Sequence, residues 1–378
     1  MIPYMLLLII PILFSQVSCT KVNGKRTLML GNSKRIRDKN LLLPIFFIFL
    51  LGMLVLRSET LGRDLHNYKY IFEENKNLSF LELNIFSPQG LFTLLNWLMI
   101  HIKDNFHLFL SVVAILTTIP LAYLYCKDRK YSYLKMILYL NLSNFIMLFS
   151  GIRQSLAISV GIIVYEMAIR KKLLWSIFFS FVALGIHHSG FVLFLIYPLC
   201  NIKIKKKHLF FILPMMLATF ALNKQIFGIL SSIISEENDK YDVVIGSTGA
   251  YGFLILSVII TIYCFVITNN NKNAINNYEL IGLKNILLMI IFIQSFAPLH
   301  VLAMRLNYYF IVFLPIAMAK CIEYSSKKYK NVAIVGMAVI CTFLTFNYVN
   351  TTYRSYVTGK STLDTIPYRS IFDDYKLP

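Results

Sequence analysis

Residues 127–172 read KDRKYSYLKMILYLNLSNFIMLFSGIRQSLAISVGIIVYEMAIRKK, and the number of times this stretch crosses a membrane decides the fold. Its apolar part is about twice the ~20 residues that one helix needs to span a bilayer. Both ends are basic, with Lys127, Arg129 and Lys130 on one side and Arg170, Lys171 and Lys172 on the other. Short loops rich in Lys and Arg stay in the cytoplasm. The stretch therefore crosses twice and turns at Gly151-Ile152-Arg153-Gln154 on the opposite side. The next apolar stretch, 173–201, ends at Lys203, Lys205, Lys206 and Lys207 and obeys the same rule. Its outer turn is His187-His188-Ser189-Gly190.

Working outward in both directions gives spans at 2–18, 41–56, 107–126, 132–149, 154–169, 173–187, 188–201, 208–222, 250–268, 285–304, 306–322 and 332–350. The expectation is an all-α, polytopic integral membrane helical bundle of about 12 transmembrane helices, with the N- and C-termini outside. Composition agrees: of 378 residues 57% are apolar and 15% charged, where a soluble domain carries about a quarter charged. The first apolar run has no basic residues before it and seven directly after it (Lys21, Lys25, Arg26, Lys34, Arg35, Arg37, Lys39). It reads as a retained helix and not as a cleaved signal.

The net charge of +19 has a topological cause. In this arrangement 24 Lys/Arg and 5 Asp/Glu fall inside, against 13 and 13 outside. The excess is worth roughly 1 kcal/mol per residue at an anionic leaflet, so no nucleic-acid partner is called for. The six cysteines (Cys19, Cys126, Cys200, Cys264, Cys321, Cys341) lie in or beside apolar runs and lack metal-binding spacing. No metal and no cofactor is expected. The bundle, 1–350, carries an outer loop at 57–106 with an interfacial helix near Leu91–His101 and a second, acidic outer loop at 223–249. An extracytoplasmic, tyrosine-rich tail follows at 351–378. No P-loop, GxGxxG or DxD is present, which places any chemistry at the outer face.

Several polar residues gather on that face. Arg153 opens a span, and a guanidinium fork fits phosphate oxygens; an interfacial arginine that snorkels and caps a helix explains the position equally. Arg305 carries the same two readings. His187 is either a base for a sugar hydroxyl or a satisfied interfacial histidine. Asp64 either orients an acceptor or forms a loop ion pair with Arg57 or Arg63. Tyr68 and Tyr368 either stack on sugars or belong to an interfacial aromatic belt.

The pattern made by these residues resembles the EpsG family of Wzy-like polysaccharide polymerases. Arg57 followed by Gly62-Arg63-Asp64-Leu65-His66-Asn67-Tyr68 resembles the family's "R…G-x-D-x-x-x-Y" segment. Gly151-Ile152-Arg153-Gln154-Ser155-Leu156-Ala157 is similar to its "R-Q-x-hydrophobic-A" element. Gly185-Ile186-His187-His188-Ser189-Gly190 resembles "H-x-S-A", with Gly190 at the alanine. Arg305-Leu306-Asn307-Tyr308-Tyr309 resembles the late "R-x-x-x-Y" helix start. One departure stands out: Ser87-Pro88-Gln89-Gly90-Leu91-Phe92 occupies the place of a Glu-Pro-Gly-Tyr-like stretch.

The resemblance implies a GT-C-like architecture in a bacterial cytoplasmic (inner) membrane, crossed many times. It implies an oligosaccharide repeat-unit polymerase for O-antigen, capsule or exopolysaccharide, whose partners are undecaprenyl-pyrophosphate-linked oligosaccharides, membrane lipids, a chain-length regulator and a flippase. In that frame His187 and Asp64 are the catalytic candidates. Arg153, Arg305, Arg57, Gln154, Tyr68 and Tyr368 are the substrate-binding candidates. The competing readings are a polyprenyl-phosphate-dependent monosaccharide transferase, a glycan ligase and a non-enzymatic flippase.

Overall fold

A computed structural model of the protein describes residues 1–14, 17–22, 25–30, 41–87, 89–142, 144–204, 214–216, 218–226, 248–269, 271–360 and 362–373. Most of the acidic loop at 223–249, part of the expected span at 208–222 and the last five residues of the tail lie outside them.

The described residues are overwhelmingly helical. In chain order the main helices are α1 (Ile2–Phe14), α2 (Leu42–Val55), α3 (Leu65–Glu74), α4 (Gly90–Ile102), α5 (Phe106–Cys126), α6 (Ser132–Asn141), α7 (Ile152–Ile169) and α8 (Leu173–Ile186). They continue with α9 (Thr248–Ile267), α10 (Tyr278–Gln294), α11 (Val301–Ile311), α12 (Leu314–Glu323) and α13 (Lys330–Thr358). The all-α expectation meets one exception, an antiparallel hairpin of β1 (Val17–Val22) and β2 (Lys25–Leu30) where helix had been expected to residue 18.

Among the described residues four helices are long and apolar enough to cross a membrane: Phe106–Cys126, Ile152–Ile169, Ala250–Ile267 and Lys327–Thr358. The α11–α12 pair makes a fifth if its 42° bend is counted as one span. Shorter apolar helices add to these at Ile2–Leu13, Leu42–Val55, Gly90–Ile102, Leu173–Ile186 and His188–Asn201. This is a helical membrane protein. The stretch near 91–101 is helical, as α4.

Several span limits differ from those expected, each for a local reason. The stretch 132–149 breaks after Asn141, whose side-chain amide turns back to the carbonyls of Ile137 and Leu344; short polar side chains compete with the helix for its own backbone groups. The stretch 285–304 breaks at 295–300, where Pro298 lacks an N–H, and α11 restarts with His300 as its cap. Arg305 thus sits one turn inside α11 and not at its start. The bend before α12 precedes Pro315, in that helix's first turn. The last helix runs past 350 to Thr358 and stops at Gly359, whose φ of +64° suits a helix terminator.

The chain forms two compact units, Met1–Val164 with Ile177–Phe191 and Gly336–Pro378, and Tyr165–Ser176 with Val192–Val335. In the first, α2 packs on α1, α5 and α6, and α3 on α4. In the second, α10 is central, packing on α9, α11, α12 and the short helix Ile196–Asn201.

A buried arginine organises the first unit. Arg57 is 1% exposed, and its Nη1 donates to the carbonyls of Leu148 (2.8 Å) and Phe149 (3.1 Å). Its backbone pairs with Ser370 of the tail, flanked by Ser58 N–H to Arg369 O and Ile371 N–H to Leu56 O. Tyr368 closes the tail over it, its hydroxyl donating to Met53 O (2.8 Å) and its ring set edge-on to Tyr4. Burial pulls the guanidinium down to about 10, so it stays cationic at neutral pH.

Arg57→Met removes the donor and leaves two buried carbonyls unpaired. Each orphaned acceptor costs about 1–3 kcal/mol. The substitution is expected to lower the melting temperature of the detergent-solubilised protein well beyond what Arg63→Met does, since Arg63 makes only an exposed ion pair with Asp364. Thermal unfolding followed by tryptophan fluorescence measures both.

Candidate functional site

The carbonyls that Arg57 holds belong to the turn that launches α7, and the first outer loop packs against the same turn. Gly62 approaches this turn so closely that a Cβ would lie 2.3 Å from the Phe149 carbonyl oxygen, and its φ is +127°. Only glycine permits that contact. Two residues on, the backbone N–H of Asp64 donates to Ser150 Oγ (3.1 Å). The first outer loop is thereby stitched to the residue three positions before Arg153.

Arg153 lies in the first turn of α7, where the helix dipole favours an anion. Its Nη1 donates to Gln89 Oε1. Its guanidinium carbon sits 5.2 Å from the Tyr68 ring centroid and 5.6 Å from that of Phe92. The two rings meet edge to face with centroids 5.9 Å apart. Arg153 Nε is buried and makes no hydrogen bond among the described residues. Among those residues no carboxylate pairs with this cation, which lies in a partly desolvated aromatic cradle. Cation–π contacts of this kind contribute about 0.5–2 kcal/mol each. Tyr68 is itself buried, which raises its hydroxyl above the ordinary value while Arg153 opposes the rise; it is a neutral donor.

Asp64 occupies the N-cap position of α3, yet its side chain caps nothing. The loop ion pair that the sequence allowed is not formed: Arg63 reaches Asp364, and Arg57 holds carbonyls. His187 follows α8 and is half-buried. Its Nδ1 accepts the Ser189 N–H (3.2 Å) and lies 2.7 Å from Ser189 Oγ. A Cβ on Gly185 would stand 2.8 Å from Leu91 Cδ1, so the end of α8 leans on the start of α4, the helix that Gln89 precedes. At Gly190 a Cβ would come within 2.7 Å of the Ala183 carbonyl. The alanine of the resembling pattern has no room there.

The first unit thus brings together Asp64, Tyr68, Gln89, Phe92 and Arg153, with His187 on the segment packed against α4. Gln154 is buried beside Arg153 at 2% exposure. Arg57 and Tyr368 hold main-chain carbonyls, those of Leu148 and Phe149 and that of Met53. Arg305 belongs to the second unit and is half-buried on α11. Two residues on, Asn307 donates to Ile290 O and Gln294 Oε1 (3.1 and 2.9 Å), which fixes the register of α11 against α10. Sequence reasoning missed Gln89 and Phe92. Their only signal was the substituted stretch at 87–92, where the residue that meets Arg153 proves to be a neutral amide. Among the described residues no three His, Cys, Asp or Glu side chains gather as metal ligands.

Gly62→Ala forces a residue into a conformation costing about 1–3 kcal/mol and pushes the Asp64 loop off Ser150. The expected outcome is a folded protein with a lowered melting temperature and at least a tenfold loss of activity, measured on membranes expressed to equal levels; unchanged activity would show that the stitch is dispensable.

No curated protein and no solved structure matches the chain. Residues 40–370 match the EpsG family, a Wzy-like polymerase family. With most of its length matched, the chain belongs to the EpsG family.

Proposed function

We propose that the protein is an oligosaccharide repeat-unit polymerase of a bacterial cytoplasmic membrane, moving a growing glycan from undecaprenyl diphosphate onto a lipid-linked repeat unit at the outer face. The observation that carries this reading is the uncompensated Arg153 guanidinium, cradled by Tyr68 and Phe92 at the first turn of α7. An aromatic-backed cation at a helix start suits a diphosphate attached to a sugar. Family membership and the one-sided charge distribution support the same reading. The twelve-span topology with both termini outside accompanies it, since donor and acceptor lipids then meet where the site faces and no nucleotide is needed.

In this reading Arg153 binds the donor diphosphate and stabilises the charge that develops as it leaves. Arg305 is also assigned a role in binding phosphate. Tyr68 orients the phosphate or the first sugar through its hydroxyl. The attacking hydroxyl of the acceptor gives up its proton to His187 or Asp64, and the C–O electron pair departs with the diphosphate. Membrane lipids, a chain-length regulator and a flippase are the expected partners. O-antigen, capsule and exopolysaccharide are the candidate products.

Deleting the gene in its host and displaying the surface glycan on a gel tests the proposal. The expected result is loss of the ladder with single repeat units still exported. Absence of any exported repeat would instead indicate a flippase. Full-length polymer left on its carrier would indicate a ligase, and an intact ladder lacking one sugar a monosaccharide transferase. Complementation with Arg153→Ala is expected to restore about 10²–10³-fold less polymerisation than the parent gene. Arg153→Lys, which keeps the charge and loses the planar fork, should fall between the two.

A further inference from the structure

The loop between α2 and α5 divides by charge. Residues 57–76 hold eight Asp, Glu, Lys and Arg side chains, whereas residues 77–102 hold one, Glu82. The uncharged half begins and ends at a single ion pair. Lys76, just before it, meets Asp104, just after it, at 2.9 Å.

The chain folds this half into an arm of two parts. A 3-10 turn, Phe80–Glu82, is closed by a reciprocal capping box with Ser79. Glu82 accepts the Ser79 N–H and hydroxyl at 2.7 and 2.9 Å, so the one carboxylate is turned back on its own turn. Trp97 of α4 pins that turn in place. Its Nε1–H donates to Leu78 O (3.0 Å), and Phe80 packs on its ring with centroids 5.5 Å apart. The arm is held firmly, yet its apolar side chains face outward. Leu81 is 93% exposed and Phe86 100%. Leu98 and Ile102, one turn apart on α4, are exposed as well.

Leaving such groups in water forfeits the main favourable term in folding. With 13 residues, α4 reaches only about 20 Å and falls short of the ~30 Å hydrocarbon core. It is too short to be a span. Its place in the chain supplies the alternative. The helix α5, long and apolar enough to cross a membrane, starts at Phe106, four residues beyond Ile102. Four residues extend at most about 14 Å, which tethers the arm beside the bilayer surface. Tryptophan concentrates at that depth, with its ring in apolar surroundings and its N–H satisfied.

We infer that the arm 78–102 lies in the leaflet at which α5 begins, with Leu81, Phe86, Leu98 and Ile102 among the acyl chains. The surface it fits is a lipid surface, bound through apolar area and not through charge. The consequence reaches Arg153. Gln89 is the N-cap residue of α4, Phe92 lies in its first turn, and both contact the guanidinium. Seating the arm sets Arg153 at head-group level, where a phosphate carried on a lipid reaches it without leaving the bilayer. The inference concerns the arm's surroundings and stands whatever reaction the site performs.

Tryptophan quenching tests it on the full-length protein in vesicles of phosphatidylethanolamine and phosphatidylglycerol. The chain has two tryptophans, Trp97 and Trp175. In a Trp175→Phe background, Leu81→Trp and Phe86→Trp each add a reporter where the protein leaves the side chain uncovered, so both should melt like the parent. Tyr70→Trp, exposed in the charged half of the loop, is the control. Bromine on the acyl chains quenches by contact within the bilayer, and acrylamide quenches from water. The expected result is that brominated lipid removes most of the emission added at 81 and 86 while acrylamide removes little, with the reverse at 70. Greater loss to acrylamide than to brominated lipid at 81 and 86 would place the arm in water and overturn the inference. Loss to neither quencher would show a protein cover, such as a second copy of the chain, and would overturn it too.

Discussion

The first unit depends on one buried cation. Arg57 sits where three otherwise separate segments meet: the end of α2, the turn before α7 and the C-terminal tail. A charged side chain at 1% exposure is tolerable only with good partners. Here the partners are two main-chain carbonyls of a single turn, Leu148 and Phe149. Buried among Tyr4, Tyr368 and Phe149, the guanidinium fixes the direction in which α7 starts, and therefore where Arg153 points. The tail, by adding a bridge at Ser370 and a hydroxyl bond from Tyr368, shields the interaction from water. Arg57 serves the site through the backbone it holds.

From that anchor the site is built by close approaches of main chain. Gly62 has no space for a side chain against Phe149, and Ser150 receives the N–H of Asp64. The carboxylate and the Arg153 guanidinium, which are 89 residues apart in the chain, are thereby tied to the same short turn. Gln89 completes the arrangement with a neutral acceptor. A carboxylate there would pair with Arg153 and cancel its charge; an amide orients the guanidinium and leaves the charge for an anionic ligand. Tyr68 and Phe92 keep water from the faces of the fork, which strengthens any electrostatic contact it makes.

Much of this was legible without coordinates. Long apolar runs, the position of Lys and Arg at their ends and the break at Gly151 point to a helical membrane protein, because burial in lipid and retention of cations in the cytoplasm act on local composition. Arg153, His187 and Asp64 stood out as polar residues beside apolar helices. Helix limits were less legible at 142–143, 295–300 and 351–358. There the decision fell to Asn141 bonding back to its own helix and to α13, to Pro298 removing a donor, and to the absence of any breaker before Gly359.

By itself the sequence determined that the chain is helical and membrane-embedded, which turns carry polar groups, and which family it joins. These follow from composition and spacing, which are local. The tertiary structure alone decided what each polar group is used for. Arg57 and Tyr368 reach main-chain carbonyls that lie about 90 and 315 residues away in the chain. Gln89, in the stretch that stands in place of a Glu-Pro-Gly-Tyr-like segment, is the acceptor for Arg153. That the Ser189 N–H reaches His187 Nδ1 is a fact of backbone geometry at the end of α8 that no residue pattern encodes.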